Sequence, residues 1–250
     1  MLDVALVVIT LVGVFLISFM KGAFGGGFAI IGIPLLSLVM DPLTAGALLA
    51  PLFIAMDVCA LIYWKPSTWS RPDLLLLVPG LLVGIVLGYL ALRVLDTRAV
   101  SIVIGIITLG FAALWFLGGR AIEAHPKSLP RALAAGMGSG VTTMIAHSGG
   151  PPLAMYLLSR GLPKVVYAGT TSLFFTVANA VKVIPWMLLP RPAGSLLPLM
   201  MWSLPAIPLG VWAGWKLHQR LDQAQLVLMC YCLLVIAAIK LLWDGIEGYL

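Results

Sequence analysis

Ten apolar runs follow one another along this chain with little between them: residues 4–20, 28–40, 43–64, 74–93, 99–118, 131–146, 151–159, 164–189, 196–217 and 223–243. Each is bounded by turn or charge signals, and each is apolar all round rather than along one stripe. Such segments have no polar face to offer water. In hydrocarbon the backbone N–H and C=O groups must pair within the segment, which selects helices, whereas strands of a membrane barrel would alternate in polarity. One crossing of a bilayer takes roughly 20 residues. A 250-residue chain therefore has room for at most about ten crossings and for no sizeable extramembrane domain. Hydrophobic residues make up 62% of the chain and charged ones only 10%, against a usual quarter or so charged. These values exclude a soluble catalytic or external receptor domain. The formal net charge of +6 would suggest nucleic acid for a soluble protein, but here it reads as the basic bias of cytoplasmic loops, and no nucleic-acid partner is expected. The fold class is all-α, a polytopic membrane protein whose surroundings are the lipid bilayer.

Cys59, Cys230 and Cys232 lie inside apolar runs without a CxxC spacing or a neighbouring ligand-type His. They read as small buried side chains, and neither a disulfide, a metal site nor a cofactor is expected. The start, Met1-Leu2-Asp3-Val4, has no basic n-region, and its apolar segment ends at Lys21 and glycines rather than an A-x-A site. A retained membrane segment is expected rather than a cleaved signal peptide.

Two runs, 28–40 and 151–159, are short, and each follows a break: Gly25-Gly26-Gly27 in the first case, Ser148-Gly149-Gly150-Pro151-Pro152 in the second. A shift of 123 superposes Gly26 on Gly149, Gly27 on Gly150, Leu35 on Leu158, Ala45 on Ala168, Gly46 on Gly169, Ala55 on Ala178 and Val58 on Val181. A shift of 126 then pairs Pro79 with Pro205, Gly84 with Gly210, Gly88 with Gly214, Leu95 with Leu221 and Asp96 with Asp222. Ordered matches that include a Pro and an Asp point to two homologous halves, 1–122 and 126–250, joined by the polar loop 119–129.

Basic residues discriminate between topologies. With each broken segment counted as a single crossing and the N-terminus outside, the inner loops hold six Lys and Arg and the outer loops seven. With each broken segment counted as a hairpin, the inner side holds Lys65, Arg71, Arg120, Lys127, Arg131, Arg160, Lys164, Lys216 and Arg220, and the outer side Arg93, Arg98, Arg191 and Lys240. Nine against four follows the positive-inside rule and gives each half an odd number of effective crossings, hence inverted repeats.

Inverted repeats with matched interruptions point to a secondary transporter, because an interruption frees backbone groups that hydrocarbon penalises unless they face a cavity or a ligand. A helix starting after the break offers a partly positive N-terminus suited to an anion. A structural kink is the alternative for either break, and an anion channel is the alternative function. No G-x-S-x-G elbow, HExxH or P-loop is present, so no enzyme is expected.

The run from Lys21 through Gly25-Gly26-Gly27 to Ile33-Pro34-Leu35-Leu36, followed by an Ala- and Gly-rich helix, resembles the N-terminal signature of the TauE/SafE family of membrane permeases. His147-Ser148-Gly149-Gly150-Pro151-Pro152 and then Ala168-Gly169-Thr170-Thr171-Ser172-Leu173 resemble its repeat. The first half reads Ala47-Leu48-Leu49-Ala50-Pro51 where a Thr-Ser-Leu run is expected. The resemblance implies export or uptake of sulfite, sulfoacetate and other small organosulfur or sulfonate anions, in a multi-pass protein of the bacterial inner membrane.

Polar residues inside apolar runs are costly and usually functional. Lys21, before the first break, is a candidate contact for a sulfonate or sulfite oxygen or a residue that snorkels to the surface. Lys182, deep in its run, is a substrate or counter-ion candidate. Asp57 is the one carboxylate well inside an apolar run, a candidate for proton coupling or a static partner of Lys182. His147 could bind an anion, shuttle a proton or simply end a helix. Lys21, Lys182 and His147, with the break residues Gly25, Gly26, Gly27, Ser148, Gly149 and Gly150 and the neutral donors Ser172 and Asn179, form the substrate-binding set, and Asp57 is the proton-coupling candidate. Thr142, Thr143 and Thr171 are further donors, each of which could instead join helices. Trp64, Trp69, Trp186, Trp202 and Trp215 read as interfacial anchors, and Asp96 and Asp222 as N-caps. A small anion is the expected ligand, and a second copy of the chain a candidate partner.

The hairpin topology has a direct check. Single cysteines placed at Trp69 and at Pro126 should react with an impermeant thiol reagent only from the cytoplasmic side, and one at Arg191 only from the opposite side. Labelling of all three from one side would exclude it.

Overall fold

The computed structural model describes residues 4–27, 35–36, 39–40, 42–91, 97–117, 125–147, 149–188 and 196–247. Over these residues the chain forms ten α-helices: α1 (Val4–Phe24), α2 (Pro42–Tyr63), α3 (Arg71–Ala91), α4 (Thr97–Leu117), α5 (Leu129–Ala146), α6 (Gly150–Ser159), α7 (Lys164–Leu188), α8 (Leu197–Ser203), α9 (Ala206–Arg220) and α10 (Gln223–Glu247). A 3-10 turn, Pro66–Thr68, links α2 to α3. There is no strand among the described residues. Six segments are long and apolar enough to cross a membrane: Val4–Phe24, Thr44–Tyr63, Arg71–Ala91, Lys164–Leu188, Leu197–Arg220 and Gln223–Glu247. The outer surface carries large exposed apolar side chains such as Leu75, Leu209 and Trp243, a surface that hydrocarbon solvates and water does not.

Helix ends fall where the local chemistry puts them. After α1 the chain turns through Gly25 and Gly26 at φ 75° and 98°, a region that a Cβ strongly disfavours. Helix α5 ends at His147, which adopts the left-handed conformation at φ 52°, ψ 25° and turns its N–H back onto the last helical turn. Asp222 caps α10 as expected: its Oδ1 accepts from the Gln225 N–H at 2.7 Å, while Gln225 Oε1 accepts from the Asp222 N–H at 3.0 Å, a reciprocal capping box. Asp96 lies outside the described residues, as does most of the run 28–40. The run 196–217 is divided into α8 and α9 at Pro205, which has no N–H to donate.

Two helix pairs dominate the packing, α3 with α5 and α1 with α9. Both depend on glycine. A Cβ on Gly84 would collide with the Met137 carbonyl oxygen of α5, and one on Gly214 with the Phe19 carbonyl oxygen of α1. Gly88 and Gly210 make the corresponding approaches to Val141 and Phe15. The residues matched by the 126-residue shift thus do the same work in two places, bringing helix backbones together through small-residue faces. In each pair the register advances in the same chain direction: Phe15 meets Gly210 and Phe19 meets Gly214, while Leu133 meets Gly80 and Met137 meets Gly84.

One end of the bundle is tied together by polar bonds. Buried Asp73 at the start of α3 accepts from Ser70 Oγ at 2.5 Å and Tyr156 OH at 2.9 Å and pairs with Arg160 Nε at 3.1 Å. Arg160 also donates to the His125 carbonyl. Lys164 donates to the His218 carbonyl at 3.1 Å and to that of Leu221. The start of α3, the approach to α5, the end of α6 and the end of α9 therefore meet at this end. Two of the five tryptophans expected at the membrane surface are not there: Trp64 is buried and donates to the Lys21 carbonyl at 3.1 Å, and Trp186 is buried against the His147 ring.

Glycine's role in the pairing can be read from stability. Gly84→Leu should destabilise the protein by about 1–3 kcal/mol or more through overpacking, whereas Gly110→Ala, with open space around the added methyl, should be neutral or stabilising by up to about 1 kcal/mol. Thermal unfolding in detergent should separate the two variants; equal midpoints would contradict the close-packing account.

Candidate functional site

The site is assembled from four interrupted or proline-containing elements. Helix α1 brings Lys21 within a turn of its glycine break, α2 brings Phe53 and Asp57 one turn apart, and α7 presents Phe175, Asn179, Lys182 and Trp186 at helical spacing along one face. The α5–α6 junction brings Thr143, His147 and Gly150. Lys21, Asp57, Asn179 and Lys182 are each 2% exposed, so Lys21 does not snorkel to the surface.

Asp57 is fully engaged. Its Oδ1 pairs with Lys21 Nζ, and its Oδ2 accepts from Asn179 Nδ2 at 2.6 Å. The expected pairing of Asp57 with Lys182 is replaced by this one, because Lys21 reaches the carboxylate from the facing helix. Lys182 Nζ instead meets two neutral groups, Thr143 Oγ1 at 2.9 Å and His147 Nδ1 at 2.7 Å. Against a protonated Lys182, which can only donate, Nδ1 is the acceptor and the His147 ring carries its one proton on Nε2. Phe53 is close to both cations, its ring centre 5.2 Å from Lys21 Nζ and 4.7 Å from Lys182 Nζ, distances at which a ring face attracts a cation. His147 is held at 5.1 Å from the Phe53 ring and stacks on Trp186 at 4.7 Å.

These groups enclose a cavity of about 10 Å³ lined by Lys21, Gly26, Phe53, Thr143, His147, Gly150, Phe175, Asn179 and Lys182, room for about one water molecule. The two glycine breaks meet beside it, since a Cβ on Gly150 would fall on the Gly27 carbonyl oxygen. Gly25 is pressed against the Ala168 carbonyl and the Ser172 amide of α7, and Gly27 against Thr171. Gly149 passes its carbonyl to Ser139 Oγ at 2.6 Å. The ten-residue helix α6 starts at Gly150, so the partly positive end of its dipole lies at the cavity wall.

Of the residues singled out from sequence, Lys21, Gly26, His147, Gly150, Asn179 and Lys182 line the cavity, with Asp57 behind Lys21. Gly25, Gly27 and Gly149 shape the backbone around it. Ser172 is buried on α7 outside the lining, and Ser148 lies outside the described residues. Phe53 and Phe175 were not singled out, although their four-residue spacing from Asp57 and Asn179 places them on the same helix faces. Among the described residues no group of three or more His, Cys, Asp or Glu gathers to hold a metal ion.

An all-helical chain with six potential crossings and a cavity lined by buried lysines between its helices is that of a multi-pass membrane protein. A model of the family described as Sulfite exporter TauE/SafE matches residues 9–241, nearly the full length, and the chain belongs to this family of membrane transporters. No curated protein and no solved structure matches it.

The Lys21–Asp57 pair has a measurable signature. Asp57→Ala would strand the Lys21 ammonium in the interior at a cost of about 3–5 kcal/mol, whereas removing both charges together in Lys21→Met/Asp57→Asn should be far less costly. Unfolding midpoints that fall equally in the single and double variants would mean that the two residues act independently.

Proposed function

We propose that the protein is a secondary transporter that exports a small sulfur oxyanion, sulfite or an organosulfonate, across the bacterial inner membrane by alternating access. The observation that carries the reading is the charge of the cavity. Two lysines and one carboxylate surround it, and Lys182 has no acidic partner among the described residues. A buried cation is costly unless an anion completes it, and a bound sulfonate or sulfite would do so with charge-assisted hydrogen bonds from Lys182. Thr143, Asn179 and the Gly150 N–H are the neutral donors within the same wall, since Pro151 and Pro152 after it have no N–H.

Alternating access is supported by how the halves share the site. The first half supplies Lys21, Gly26 and Phe53, and the second supplies Thr143, His147, Gly150, Phe175, Asn179 and Lys182. The parallel pairing of α1 with α9 and of α3 with α5, together with the meeting of the start of α5 and the end of α9 at one end, favours inverted repeats of 1–122 and 126–250. In such transporters one repeat rocks against the other around a site at their junction. A cavity with space for a single water fits an occluded state, and no observation favours the channel reading. Asp57, with both oxygens occupied, serves as the counter-ion of Lys21 rather than as a proton carrier. Outward movement of an anion from a negative cytoplasm gains about 2.3 kcal/mol per charge per 100 mV, so export needs no coupled proton.

Counterflow of radiolabelled sulfite and methanesulfonate in liposomes tests this function. Saturable exchange of both is expected in the wild type, that of methanesulfonate, whose charge does not change near neutral pH, being independent of a pH gradient at clamped voltage. Lys182→Gln should weaken substrate affinity by roughly tenfold to a hundredfold, the loss of a charge-assisted contact, with folded yield intact. Unchanged affinity in a folded Lys182→Gln protein would remove Lys182 from the site.

A further inference from the structure

The same cavity carries a statement about the valence of its ligand, which rests on the proposed anion site. With both lysines protonated, two ammonium groups and one carboxylate leave a single positive charge at it. His147 adds none while its Nδ1 accepts from Lys182. Asn179 and Thr143 are neutral. The only other ion pair buried among the described residues, Asp73 with Arg160, is self-balanced and belongs to the polar end of the bundle. We infer that Asp57, by cancelling Lys21, sets the site to accept a monovalent tetrahedral anion, a sulfonate or hydrogen sulfite, and to reject a divalent one such as sulfate.

The physical reason is charge balance out of water. Four side chains that are 2% exposed cannot share an uncompensated charge with solvent, and an ion left unpaired in such surroundings carries a large desolvation penalty. A monovalent anion beside Lys182 leaves the cavity neutral. A divalent anion leaves one negative charge buried. The geometry keeps the two cations from acting as a joint divalent receptor: Asp57 holds Lys21 by direct contact, and Asn179 fixes the second carboxylate oxygen, so that only Lys182 is without a carboxylate partner among the described residues. Asp57 is therefore a specificity-determining residue that need not touch the substrate.

Methanesulfonate and sulfate make the test, being close in size and shape but different in charge, and neither changes charge near neutral pH. Binding of radiolabelled methanesulfonate to the full chain in liposomes, competed by each unlabelled anion, gives the ratio of affinities. The wild type should favour methanesulfonate by at least about tenfold. Asp57→Asn, which raises the site by one positive charge, should move the ratio at least about tenfold towards sulfate. If the stranded Lys21 prevents that variant from folding, Lys21→Met/Asp57→Asn, which restores the single excess charge, should keep the preference for methanesulfonate. Equal affinities in the wild type, a ratio unmoved by Asp57→Asn, or a preference lost in the double variant would each overturn the inference while leaving an anion site in place. Absence of saturable binding by either anion, with no effect of Lys182→Gln, would instead overturn the proposed function itself.

Discussion

Two lysines and one aspartate sit where water does not reach, and the architecture around them follows from that cost. A lone ammonium in a helical bundle would be destabilising by several kcal/mol, so each cation has a dedicated arrangement. Lys21 is held by a carboxylate whose other oxygen is satisfied by Asn179. Lys182 rests on neutral lone pairs and an aromatic face. The two arrangements differ in charge: that of Lys21 is cancelled by Asp57, while Lys182 has no acidic partner among the described residues, which is what the proposed anion site rests on.

That arrangement demands backbone geometry that uninterrupted helices do not provide. Lys21 reaches Asp57 just before α1 stops, and the stop depends on glycines at positive φ. His147 can accept from Lys182 because it too sits at a helix end, in a left-handed conformation that is uncommon for a residue with a side chain. The breaks therefore serve two ends at once. They free backbone groups beside a cavity, where such groups are tolerated, and they turn side chains that would otherwise follow a helical stripe into one small space. Bulky aromatic residues line the space: Phe53 sits beside both lysine ammonium groups, and Trp186 backs the His147 ring while lying against Gly46, where any side chain would collide with it.

Much of this was legible in the sequence because hydrocarbon leaves few solutions. The apolar runs gave the helices, and a charged residue inside a run was already an anomaly calling for a partner; Lys21, Asp57, Asn179 and Lys182 all come to one place. What the sequence could not supply was pairing. Lys21 and Asp57 are 36 residues apart and on different helices, and nothing local distinguishes their contact from one between Asp57 and Lys182. Phe53 was illegible for another reason. A phenylalanine in an apolar helix has the same local signature whether it faces lipid, core or cation, and only the placing of the two lysines beside it shows which. Trp64 and Trp186 misled in the same way, since proximity to a helix end suggests an interface while packing against the site buries both.

Helix α6 joins the cavity to the polar end of the bundle. At its start, Gly150 is in backbone contact with Gly27 of the other break. At its end, Tyr156 and Arg160 converge on Asp73 of α3, and Arg160 reaches on to the chain before α5. Ten helical residues span roughly 15 Å, and a short rod fixed at both ends cannot shift at one without disturbing the other. Under the proposed function, a cavity with room for about one water must enlarge to admit a sulfonate, and the Gly150–Gly27 contact lies in its wall. Helix α6 is then the element through which such a change would reach the cluster around buried Asp73, whose polar bonds depend on one another.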